Sequence, residues 1–200
     1  MTKANFVKKA RKDYPDAGIK AGESYYWWKF NFQKHIYRSK TAPTRQQLTT
    51  SDFLSQVYDI EDHIGNLSTE DDLASEVESI TTEIEELSSE TEDRLNNMPD
   101  QLQEGSSSGQ LLQERIDSLS EFQSDLEGID TDVDEAGIKE EETNTYIDEK
   151  AKEKNIDRIK VIETLTPEEH QDLQKKIDDA IKARKEEIME ELQGISYGGS

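Results

Sequence analysis

The sequence predicts an α+β protein: a small aromatic β-hairpin or three-strand module with one covering helix, then an elongated, mostly α-helical acidic coiled-coil region. Three observations point there. Eleven of the fourteen aromatic residues lie between positions 6 and 58, most densely in the stretch GESYYWWKFNF at 22–32. The net charge of −22 is split, because residues 1–50 carry eleven Lys/Arg and three Asp/Glu while residues 64–135 carry two and twenty-two. Finally, apolar residues recur at helical spacing from position 53 onward. These divide the chain into a basic aromatic β-module with its helix at 1–64, an acidic helical hairpin at 65–135, and an acidic linker with a C-terminal helix at 136–200.

Composition narrows the function classes. The apolar fraction is 32% and charged residues make up 35% of the 200, which argues against one large core. With no cysteine, disulfides, thiolate catalysis and cysteine-based zinc sites are excluded. The start, MTKANFVKKARKDYP, lacks the apolar segment of a signal peptide, and no run is long enough to span a bilayer. The expectation is a soluble, cytoplasmic chain without a membrane partner.

Residues 6–12 read as a basic helical turn or lead-in, ended by the turn at Tyr14-Pro15-Asp16. Gly18-Ile19-Lys20 reads as a brief extended piece. Residues 24–32 read as a strand from their aromatic enrichment. Alternation then puts Tyr26, Trp28, Phe30 and Phe32 on the core face and Tyr25, Trp27, Lys29 and Asn31 on the other. A two-residue turn at Gln33-Lys34 sets Lys29 opposite Arg38 and adds Ile36, Arg38 and Lys40 to the outer face.

Residues 41–45 form a loop. A helix begins near Thr50 or Ser51, with Asp52 in its first turn and Phe53, Val57, Ile60 and Ile64 as its stripe, and Gly65-Asn66 ends it. Leu73, Val77, Ile80, Ile84 and Leu87 then alternate steps of four and three, a coiled-coil seam that weakens at Thr91. Pro99 and GSSSG at 105–109 read as a flexible break. Leu112, Ile116, Leu119, Phe122, Leu126 and Ile129 form a matching stripe, which predicts an antiparallel helical hairpin. Residues 139–163 have weak periodicity and read as a frayed helix. Thr166, Pro167 and Glu169 are a capping box with proline at the first helical position. Leu173, Ile177, Ile181, Ile188 and Leu192 follow as the last helix's stripe, and the tail after Gly194 is expected to be disordered.

The candidate site is the hairpin's outer face. Rings interleaved with cations, here Tyr25, Trp27, Lys29, Arg38 and Lys40, suit single-stranded nucleic acid through stacking and phosphate contacts. Against this stand two plainer uses: lysines guarding a strand edge while Trp27 packs under the lead-in, or the acidic helices neutralising the basic module. The acidic hairpin can be a solvated face, a surface for homo-oligomer formation through helices 69–98 and 110–130, or a mimic that occupies a basic site on a host protein. Asp130, Asp132, Asp134 and Glu141 approximate a calcium loop, but Glu135 sits where that loop needs glycine. No metal or cofactor is therefore assigned. His35, His63 and His170 lack ligand spacing, and no nucleophile or phosphate-loop motif is present; no catalytic residue is assigned and the chain reads as a non-enzyme.

Residues 4–32, ANFVKKARKDYPDAGIKAGESYYWWKFNF, followed by RSKTAPTRQQLTTSDFLSQVYDIED, resemble the N-terminal module of small uncharacterised proteins encoded in bacteriophage and bacterial genomes. The most specific parts are Lys12-Asp13-Tyr14-Pro15, Gly18-Ile19-Lys20 with Gly22-Glu23, and the aromatic run at 25–32. The resemblance covers about the first sixty residues and implies a viral or mobile-element setting, hence a host-cell cytoplasm. It implies no activity and no catalytic residue.

Overall fold

The computed structural model describes residues 2–199, and among these the protein is mostly helical with one small antiparallel sheet. It divides into two compact units, Met1–His63 and Ile64–Ser200. The N-terminal unit is built on three strands in the order β1 (Asn5–Val7), β2 (Tyr25–Trp28), β3 (Tyr37–Ser39). β1 lies where a helical lead-in was expected. Its residues Asn5, Phe6 and Val7 face Trp27, Tyr26 and Tyr25, so β2 becomes the central strand.

Between β1 and β2 the chain folds into a sewn loop. Tyr14 and Ile19 exchange backbone hydrogen bonds of 2.8 and 3.1 Å around a 3-10 turn at Pro15–Ala17, and Gly18 closes the turn with φ 64. Ala10 N donates to Glu23 O at 2.7 Å, and Gly22 N returns to Ala10 O at 2.9 Å. Asp13 and Glu23 accept the Ala21 and Lys20 amides, each at 2.7 Å, so two of the three acidic groups in this basic region serve its backbone.

β2 ends at Trp28, four residues earlier than alternation suggested, and pairs with β3 as Trp27↔Arg38 and Trp28↔Tyr37. The expected pairing of Lys29 with Arg38 is therefore slipped by two positions. Because the slip is even, Arg38 still shares a face with Trp27, but that face is not wholly an outer one, since Tyr25 on it is buried. An eight-residue loop, 29–36, replaces the two-residue turn. Trp28 and Phe30 are buried, and Trp28 stacks on Tyr37 at 5.7 Å. Phe32, assigned to the core by alternation, instead lies in the loop with φ 66 and full exposure.

Helix α1 (Asp52–Gly65) has the predicted bounds, and Phe53, Val57, Ile60 and Ile64 are all buried. Before it, Arg45 pairs with Glu61 and Asp62 and lies over the Tyr58 ring, while Gln46 donates to Asp59 and Asp62. This side-chain lattice binds the 41–48 loop to α1.

The second unit pairs α2 (Leu73–Asn96) with α4 (Ser107–Glu127), and α5 (Glu135–Lys154) with α7 (Pro167–Gly194). Leu73, Ile80, Ile84, Leu87 and Thr91 are the buried seam of α2, met by Leu119, Phe122 and Leu126 of α4. Thr91 is tolerated there because its hydroxyl donates to Leu87 O at 2.8 Å, satisfying a polar group that would otherwise be costly to bury. Gln123 reaches Glu85 at 3.1 Å, which fits an antiparallel pair. The 105–109 stretch is a built connection rather than a flexible break. After the short α3 (Asp100–Gln103), Ser106 caps α4 by accepting from Gly109 N at 3.0 Å and donates to Leu102 O at 2.5 Å.

Residues 135–154 form one continuous helix, where a frayed one was expected. Its buried pair Tyr146 and Ile147 compensates for its weak periodicity. Asn155 in the left-handed region ends it, and α6 (Arg158–Thr164) follows. The capping box at Thr166 and Glu169 is complete, and Ile177, Ile188 and Leu192 are the buried positions of α7. The tail is also placed: Tyr197 meets the Phe122 ring of α4 edge-on at 6.4 Å.

Candidate functional site

One face of the sheet carries Asn5, Val7, Tyr25, Trp27 and Arg38 and is divided along its length. At one end the sewn loop covers it. Ala10, Ile19 and Tyr25 form a buried cluster there, with Val7, Tyr14, Ala17 and Trp27 packed against it. Tyr25 is 8% exposed, so its ring belongs to this small core and cannot offer a face for stacking. Tyr14 lies 5.4 Å from Tyr25, and the Arg38 guanidinium rests 4.3 Å from the Tyr14 ring centroid. The Tyr25 hydroxyl holds the Tyr14 hydroxyl below its ordinary range, helped by Arg38 and Lys12. Tyr25 is pushed up, first by Tyr14 and then by burial.

Arg38 and Lys40, expected to meet phosphate, are thus both engaged within the unit. Arg38 also reaches Ile36 O at 3.4 Å, and Lys40 pairs with Glu23 at 3.0 Å. Glu23 is held below the usual carboxylate range, chiefly by the Lys20 amide and then by Lys40.

At the other end the face is open. Thr2, Lys3, Asn5, Trp27, Lys29 and Asn31 line a shallow depression, with the half-buried Trp27 next to two exposed lysines. Among the described residues neither Lys3 nor Lys29 has an ion-pair partner. Of the five residues predicted, Trp27 and Lys29 are brought together here; Tyr25, Arg38 and Lys40 are not. Sequence reasoning missed Lys3 and Asn5, because β1 was read as a lead-in and nothing set it beside β2. An extended reading of NFV, with alternation, would have placed Asn5 across from Trp27. From Glu23 to Asp52 the chain contains no intervening carboxylate, while Lys29, Lys34, Arg38, Lys40 and Arg45 all fall within that span.

In the second unit a depression of about 770 Å³ lies at one end of the α2–α4 pair, with Glu70, Asp72, Glu127, Asp130 and Asp132 around Leu73 and Ile129. The calcium-like aspartates are partly spent on backbone: Asp130 accepts from Asp132 N at 3.1 Å, and Asp134 caps α5 from Gly137 N at 2.8 Å. Among the described residues no group of three His, Asp or Glu side chains is arranged to hold a metal ion. His170 sits 3.0 Å from Thr166 O in the first turn of α7, and His35 lies edge-on to Tyr37 at 4.5 Å. No described helix is long and apolar enough to cross a membrane. Comparison with family models, with curated proteins and with solved structures gave no match.

Proposed function

We propose that this is a non-catalytic, phage-type interaction protein whose N-terminal unit contacts single-stranded nucleic acid through the open half of its sheet face. The observation that carries this reading is the depression in which Trp27 adjoins Lys3 and Lys29 with amide groups from Asn5 and Asn31. A partly exposed indole offers a π-face to any base, and the lysines lie within reach of the adjoining phosphates. The site is smaller than the full outer face, because Tyr25, Arg38 and Lys40 serve the unit's own core and loops.

The helical second unit is the scaffold in this proposal. The four-three spacing of the α2 seam favours coiled-coil packing against α4. Since those seams are buried on each other, assembly with a second copy falls to other surfaces. The test is binding of a fluorescent oligothymidylate across a salt series. Reversing both lysines, Lys3→Glu with Lys29→Glu, should weaken binding and reduce the salt slope by about 1.4, at roughly 0.7 per lost phosphate contact on a single strand. An unchanged slope would overturn the phosphate assignment.

A second reading is favoured by one observation on the other unit. Within 64–135 the cations are Arg94 and Arg115 alone, and Arg94 is already 3.6 Å from Glu90. An acidic decoy for a basic host protein would use that surface. It would bind no oligonucleotide and would displace one from a basic partner.

A further inference from the structure

Phe32 has an unusual position for a structural residue. The loop after β2 opens with a turn in which Gln33 N donates to Phe30 O at 3.3 Å. Phe32 is the third residue of that turn and has φ 66. Turns with a positive φ at this place take glycine or asparagine, because a larger side chain crowds the backbone carbonyl. The conformation is therefore held at a cost, and the ring recovers nothing inside the molecule: its relative exposure is 107%. Phe30, two residues earlier in the same loop, is buried at 8%. Phe30 is the one buried residue of that loop; Lys29 and residues 31–36 are exposed, and Phe32 is the largest apolar side chain among them.

The surroundings are cationic and polar. Asn31 and Lys29, just before it, line the open depression with Trp27. Lys34, two residues after it, is exposed, and no carboxylate occurs between Glu23 and Asp52. The run from Trp27 to Lys34 therefore presents ring, cation, amide, ring, amide, cation.

We propose that Phe32 is a second base-stacking platform, extending the Trp27–Lys29 surface so that a single strand lies along the β2 end and its following loop. This rests on the nucleic-acid reading above and adds a residue to it. A backbone strained to turn a ring outward is a pattern found at ligand-contacting positions. Here the adjacent cations and the absence of acid select an anionic chain with flat bases as the occupant.

The test separates stability from binding. In the full-length protein, Phe32→Gly relieves the turn and should leave the melting temperature equal or higher. It should also weaken oligothymidylate binding about fivefold or more, the loss of one stacked base. The salt slope should be unchanged, in contrast to the Lys3/Lys29 reversal, and Phe32→Tyr should keep wild-type affinity. If Phe32→Gly binds as tightly as wild type, this inference is wrong while the nucleic-acid reading stands. If it loses melting temperature and affinity together, Phe32 is structural and the inference is wrong. If the wild-type protein binds no oligonucleotide, both readings fall.

Discussion

Gly109→Ala sets two opposing effects against each other, and the structure decides their sign. In an open helix the change should help, since alanine is favoured over glycine by about 1 kcal/mol. Gly109 lies in the first turn of α4, where a Cβ would sit 2.0 Å from Gln103 O and 2.5 Å from Leu102 O. Both obstacles are backbone, so no side chain can swing aside. The connection between α3 and α4 would have to open by an ångström or so, straining the Ser106 cap and its bond to Leu102 O. Overpacking of this kind costs about 1–3 kcal/mol, so after the propensity gain the net expectation is destabilisation by roughly 0–2 kcal/mol, and by about 1–3 kcal/mol relative to a glycine-to-alanine change that meets no obstacle. Urea unfolding followed by helical circular dichroism would measure it. Gly65→Ala serves as the control, because nothing lies within 4 Å of its Cβ; it should be neutral or slightly stabilising. A Gly109→Ala protein as stable as the Gly65→Ala control would refute the close approach of α3 to α4.

Two further outcomes follow from the helical unit. Glu169 is held down to about 2, first by Lys154 and then by the Thr166 amide of the capping box. A depressed carboxylate stabilises the fold above its unfolded value of 4.5 and loses that contribution as pH falls toward about 2. Glu169→Gln should therefore be less stable than wild type at neutral pH, with the gap closing through that window; a gap independent of pH would contradict the ion pair. Ile84→Ala, at a wholly buried position of the α2 seam, should cost about 2–5 kcal/mol in urea unfolding. A cost below about 1 kcal/mol would mean the seam is not packed.

The helices were largely legible because their evidence is local and repeated. The α1 stripe, the α2 and α4 seams and the Thr166 capping box each follow from spacing within a single element. Alternation failed at Phe32 for a definite reason: period two holds only while the backbone is extended, and β2 stops at Trp28. No residue chemistry at Gln33-Lys34 favoured a tight turn, and the chain instead uses an eight-residue loop. Tyr25 was misplaced because its burial depends on residues 10–23 folding across the face, a contact made by Ala10 and Ile19 that no periodicity in β2 reports. β1 escaped notice because three strand residues flanked by lysines carry little pattern. The continuity of α5 was hidden for a related reason, since two adjacent residues, Tyr146 and Ile147, supply its burial rather than a regular stripe.

The half-exposed position of Trp27 gives the most direct measurement of the central claim. Titration of the full-length protein with oligothymidylate should quench its tryptophan fluorescence. In Trp27→Phe the quench should largely disappear while affinity is retained, because phenylalanine still stacks and the buried Trp28 is out of reach. Tight binding with an equal quench in Trp27→Phe, or no quench in either protein, would contradict a strand lying on the open half of the sheet.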